Sequence, residues 1–196
     1  VRKKSHISLA KYLVENVDTQ ELNNHRKAFY LGNVLPDCKP SFLTERHEFN
    51  DTYEQFKMGI KKLTIECDLF SRNERVYWRK LGESLHYLAD YFTFPHNITF
   101  EGSLKEHCSY EKELKLYFRE YVMSGEADSN HMFVQRFDSL DKLFHFIEVK
   151  HVEYLRMKGN IHNDTMYIIT LCTQVVYGII HLLNQRLSKV LQPVLI

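Results

Sequence analysis

MYIITLCTQVVYGIIHLL, residues 166–183, is the stretch whose reading decides the fold. Its length and apolar content match those of a membrane span. Thr170, Thr173, Gln174 and His181, with Asn184 just beyond, return at helical spacing and draw a polar stripe down one side. Such a stripe suits a helix inside a bundle better than one that faces lipid all round. The stretch is therefore read as the central helix of a bundle, with no transmembrane segment.

Working outward, helical periodicity recurs over 5–17, 20–30, 51–70, 72–91, 104–123, 139–156 and 163–191. Only 7 Gly and 4 Pro punctuate the chain, which favours long helices over a many-turned β fold. No stretch alternates apolar and polar residues over a strand's length. The chain predicts an all-α fold: one domain over 1–196, a helical bundle of roughly seven helices. Gly32 reads as a helix stop, 31–40 as irregular, 124–130 as a polar loop, and Pro95 as the end of the fourth helix.

Composition narrows the function. Lys plus Arg is 26 against 25 for Asp plus Glu, which argues against a broad basic face for duplex nucleic acid. Arg2-Lys3-Lys4 and Lys61-Lys62 read as solvated surface that is able to touch anionic lipid. Cys38, Cys67, Cys108 and Cys172 form no C-x-x-C pair and are expected to be free, mostly buried thiols in a reducing compartment. No secretory apolar stretch follows the basic start, so a cytoplasmic protein is expected unless a leader was removed ahead of Val1.

With 11 histidines in the chain, their positions become the main question, because His is the commonest metal-ligating side chain. His86 with Asp90, and His107 with Glu111, sit four apart on expected helices, so each pair shares a helix face one turn apart. Either pair can chelate zinc through imidazole nitrogen and carboxylate oxygen. Taken singly, such a pair is more often an exposed ion pair. His96 directly follows Pro95, Asp37 lies in a proline-flanked loop, His47 sits in ERHE (45–48), and His6 opens the first helix. Read alone, these are a turn, an exposed ion pair and a helix start. Together they are a set of ligand types, six of them between His47 and Glu111.

LGESLHYLAD (81–90), then PHN (95–97), then HCSYE (107–111) resembles the metal-binding core of bacterial zinc-dependent phospholipases C. That family carries L-G-x-S-L-H-Y-x-x-D on a helix, a proline-histidine turn, and H-x-x-Y-E on a later helix. The resemblance implies that Asp37, His47, His86 and Asp90 surround one zinc. Asp90 would bridge to a second ion held by His6, and His96, His107 and Glu111 would hold a third. It implies two to three Zn2+ ions, a phospholipid or other phosphodiester substrate, peripheral contact with a membrane surface, and Asp37 as the proton acceptor. The family's N-terminal tryptophan ligand has no counterpart, since the one Trp is Trp78. Two alternatives stay open: a single-strand nuclease of the related trinuclear-zinc fold, and a zinc-binding protein without catalysis. The aromatics Tyr91, Phe92, Phe94 and Phe100 read either as core or as a lipid-facing cleft. His25, His131, His145, His151, His162 and His181 belong to no motif.

Overall fold

The computed structural model describes residues 2–17, 19–38, 47–129 and 134–191, and all regular structure among them is helical. The order is α1 (Lys3–Asn16), α2 (Gln20–Asn24), α3 (Arg26–Val34), a 3₁₀ turn (Pro36–Cys38), α4 (Phe49–Thr64) and α5 (Glu74–Tyr91). A second 3₁₀ turn (Phe94–His96) follows, then α6 (Leu104–Met123), α7 (Glu126–Ser129), α8 (Leu140–Leu155) and α9 (Ile161–Leu191). Readings that touch Val1, Lys39, Pro40, Glu45, Arg46, Asn130 and His131 lie outside the described residues.

Local chemistry sets several helix starts. Asn73 opens α5 by accepting the Val76 N–H, and Ser139 opens α8 by accepting that of Lys142. Ser103 and Glu106 form a reciprocal capping box at the start of α6, which satisfies donors the first turn would otherwise leave unpaired. Around α5 the other helices assemble. It packs against α3, α4, α9 and α1, and Leu81, Leu85, Leu88 and Ala89 on it are fully buried.

The closest approach is between α3 and α5, and it corrects one sequence reading. Gly32 does not stop a helix. It lies inside α3, where an added Cβ would collide with the Arg79 carbonyl of α5. Gly82 is its counterpart on α5, where a Cβ would strike the Phe29 carbonyl of α3. Two glycines thus let the backbones touch.

Other boundaries also moved. The expected 20–30 helix breaks at His25 into α2 and α3, α4 stops at Thr64 rather than at 70, and the loop after Met123 holds the short α7. Pro95 does not end α5, which stops at Tyr91; the proline instead shapes the 3₁₀ turn that carries His96. Helix α9 is long and apolar enough to cross a membrane, yet Ile168, Leu171, Cys172, Val175, Val176 and Ile179 are buried in the protein core. Gln174 on its stripe accepts the Gln135 N–H, and His181 bonds to Gln185 one turn on. Those contacts are what a bundle helix makes. Tyr91 and Phe92 are buried core, with Phe92 packed on His151, Tyr154 and Tyr167, so they line no cleft. All four cysteines are free, but only Cys172 is buried, against the expectation of mostly buried thiols.

Candidate metal centre

The i, i+4 row Gly82, His86 and Asp90 on α5 builds the first cluster. Gly82 admits α3, and one turn later His86 Nδ1 donates to the Asn33 carbonyl at 2.8 Å. That bond orients the ring and aims Nε2 away from α3, as the outer hydrogen bond of a metal-ligating histidine does. Around His86 Nε2 lie His47 Nδ1 at 3.2 Å, Asp90 Oδ2 at 3.3 Å and Asp37 Oδ1 at 3.4 Å.

Asp90 divides its two oxygens. Oδ2 is 2.9 Å from His47 Nδ1, while Oδ1 is 3.4 Å from His6 Nε2. The His6 ring stacks on that of His86 with centroids 3.8 Å apart. A second cluster gathers where the Phe94–His96 turn meets α6: His96 Nε2 and His107 Nε2 lie 3.2 and 3.3 Å from Glu111 Oε1. The geometry thus groups His6, Asp37 and His86; His47, His86 and Asp90; and His96, His107 and Glu111, each close enough to hold one metal ion. None of the eight is a simple surface residue, for His6, His86, Asp90 and His47 are buried and the other four half-buried.

A metal fits these residues on an observation independent of spacing. His6 is fully buried; among the described residues its Nδ1 has no hydrogen-bond partner, and its Nε2 faces Asp90 Oδ1 at 3.4 Å without hydrogen-bond geometry. An imidazole nitrogen left so is costly unless something binds it. Burial, with the neighbouring His86 charge, pushes its pKa down to about 4, so the ring is neutral, the form a metal takes. Burial likewise lowers the pKa of His96. His86 goes the other way: burial lowers it, but Asp90 and Asp37 outweigh this and raise it to about 9. Burial opposes the charge on Asp37 and Glu111 as well, but His86 holds the first carboxyl below its ordinary range, and His107 and His96 hold the second far below.

Against this geometry, a profile described as zinc-dependent phospholipase C matches residues 5–161. The chain belongs to the zinc-dependent phospholipase C family. Its all-helical architecture agrees with that membership. No curated protein and no solved structure matched the chain.

Supporting residues escaped the sequence reading. Asp164, in the first turn of α9, is fully buried and accepts the Phe94 N–H at 2.9 Å, the Tyr110 hydroxyl at 2.8 Å and the Tyr154 hydroxyl at 2.7 Å. It ties both arms of the second cluster together, since Phe94 is in the His96 turn and Tyr110 precedes Glu111. Asn97 donates to the Tyr91 and Thr93 carbonyls and accepts from His151 Nε2, pinning that turn from the other side. An acidic residue opening an apolar helix was the one available signal for Asp164, and it reads equally as helix-dipole complement.

Proposed function

We propose that this member of the zinc-dependent phospholipase C family is a phosphodiester hydrolase of one domain, 1–196, holding two to three zinc ions and cleaving phospholipid between glycerol and phosphate. The observation that carries the reading is the split carboxylate of Asp90, one oxygen toward His6 and the other toward His47 and His86. A carboxylate so divided offers one oxygen to each side and could hold an ion on both. Bound at these residues, zinc would lower the pKa of a water and gather the charge of the phosphodiester oxygens.

The chain's own groups supply the rest. His86 is fixed by Asn33, so its Nε2 is presented without rotamer search. Asp37 is 9% exposed where Asp90 is 1% exposed. Asp37 is thus the carboxylate of the first cluster best placed to meet a water, and His86 keeps it ionised. With zinc bound, Asp37 would be the group to orient a water and accept its proton. His96, His107 and Glu111 form the separate third site. Four free cysteines fit a reducing compartment and, with it, a cytoplasmic location.

The test pairs zinc content per chain by elemental mass spectrometry with release of phosphocholine from lecithin and digestion of single-stranded DNA. Two or three zinc ions with phosphocholine release support the reading. Digestion of DNA with inert lipid would replace it by a nuclease. Full zinc with no phosphodiester cleaved would make the clusters structural.

A further inference from the structure

Beside the metal clusters, a cavity of about 460 Å³ opens between α1 and α6, within the size range of sites that take small molecules. Ile7, Val34 and Leu116 give it apolar walls, and Leu116 is 56% exposed. Lys3 and Lys4 from α1 and Lys115 and Arg119 from α6 also line it. Among the described residues none of these four cations makes an ion pair; exposed cations elsewhere, such as Arg26 and Lys27, are also unpaired, but these four border one hollow. The chain's net charge is only +1, so four uncompensated cations around one apolar hollow are a local concentration, not a reflection of the whole.

We infer that this face docks on an anionic lipid surface, with hydrocarbon against Ile7, Val34 and Leu116 and acidic headgroups against the four cations. Apolar walls rimmed by cations match the order of a lipid, tail inside and charge outside. A soluble anion would use the rim and leave the walls empty. Cations facing an anionic bilayer each add to attraction that fades within a Debye length. The position is also suitable: Ile7 follows His6, Cys38 follows Asp37, and Lys115 lies one helical turn beyond Glu111. The docking face and the clusters are thus carried by the same elements, α1, α6 and the Pro36–Cys38 turn.

The choice of lipid as occupant rests on the hydrolase reading above, whereas the charge match does not. The zinc-loaded protein is therefore mixed with vesicles of a neutral galactolipid, with and without an anionic sulfolipid. Neither lipid contains phosphorus, so no cleavable headgroup takes part. Binding is read by co-sedimentation at low and high salt. The expected result is at least tenfold stronger binding to the sulfolipid vesicles at low salt, largely lost at high salt. Lys115→Glu/Arg119→Glu should weaken it by tenfold or more, since each cation is worth about fivefold at such a surface. Arg26→Glu/Lys27→Glu, an equal charge change on exposed residues of α3, should weaken it much less. Equal binding to neutral and anionic vesicles, no binding to either, or equal losses in the two double variants would overturn the inference. Phosphocholine release is measured separately, so a protein that docks without hydrolysing defeats the hydrolase reading alone.

Discussion

At the scale of single residues, the proposed function gives Asp90 and Asp37 different roles although both are carboxylates within reach of His86. Asp90 is buried with its oxygens aimed at opposite groups of imidazoles. Asp90→Asn should abolish hydrolysis and reduce zinc content, because the amide keeps the shape but loses the charge that two ions would share on the proposed reading. Full zinc and activity in that variant would make Asp90 a bystander. Asp37→Asn should cut turnover by about 10²–10⁴-fold, the ordinary worth of a positioned base, while zinc content changes little. Zinc loss as large as the activity loss would mark it as a ligand only. Asp164 acts through neighbours: Asp164→Ala strands the Phe94 N–H and two tyrosine hydroxyls, and should cost about 2–4 kcal/mol given the penalty of each buried unpaired group. Asp164→Asn keeps an acceptor and should be milder, which chemical denaturation of the two variants would measure.

Among the elements, the α3–α5 crossing is the part on which the first cluster depends. Gly32 and Gly82 set its depth, and Asn33 then reaches His86. Gly82→Ala gains helix propensity but drives a methyl into the Phe29 carbonyl. Overpacking of that kind should dominate, costing about 1–3 kcal/mol. The variant should show a lower melting temperature together with weaker zinc binding. An unchanged melt would mean that the helices part freely and that the crossing does not position His86. In the sequence, Gly82 stands inside a regular helical pattern and Gly32 just past the end of one. The motif LGESLH marks Gly82 as one of a set, but Gly32 beside Leu35-Pro36 looks like an ordinary helix end. Only the partner helix distinguishes a stop from a contact point.

For the whole molecule, two buried groups give stability opposing dependences on pH. His151 is buried against Phe49, and burial lowers its pKa from 6.5 to about 4. Between those values the unfolded chain takes up a proton that the folded one refuses, so stability falls as pH drops from 6.5 toward 4. Burial raises Asp164 from 3.8 to about 6, so over that interval the folded state binds the extra proton and gains stability as pH falls. The two partly cancel, and single variants separate them. His151→Gln should flatten the acid-side loss, and Asp164→Asn should steepen it. Urea unfolding at several pH values checks both slopes, and identical slopes in all three proteins would show that other groups govern the acid limb.

Several features of this protein are properties of the chain alone. Period 3.6 in the apolar residues, with few Gly and Pro, determined the helices, because backbone hydrogen bonds in a helix are local and need no partner element. The pairs His86/Asp90 and His107/Glu111 were legible for the same reason, since one helix face suffices to define each. Other features were decided only in three dimensions. His6, Asp37 and His47 come from separate segments, and their meeting at His86 depends on the α3–α5 crossing and on how α1 packs beside it. The anchoring of the second cluster by Asp164, 53 residues beyond Glu111, and the gathering of four cations around one cavity have the same origin. Packing brings together groups that are far apart in sequence, and local periodicity carries no record of which groups will meet.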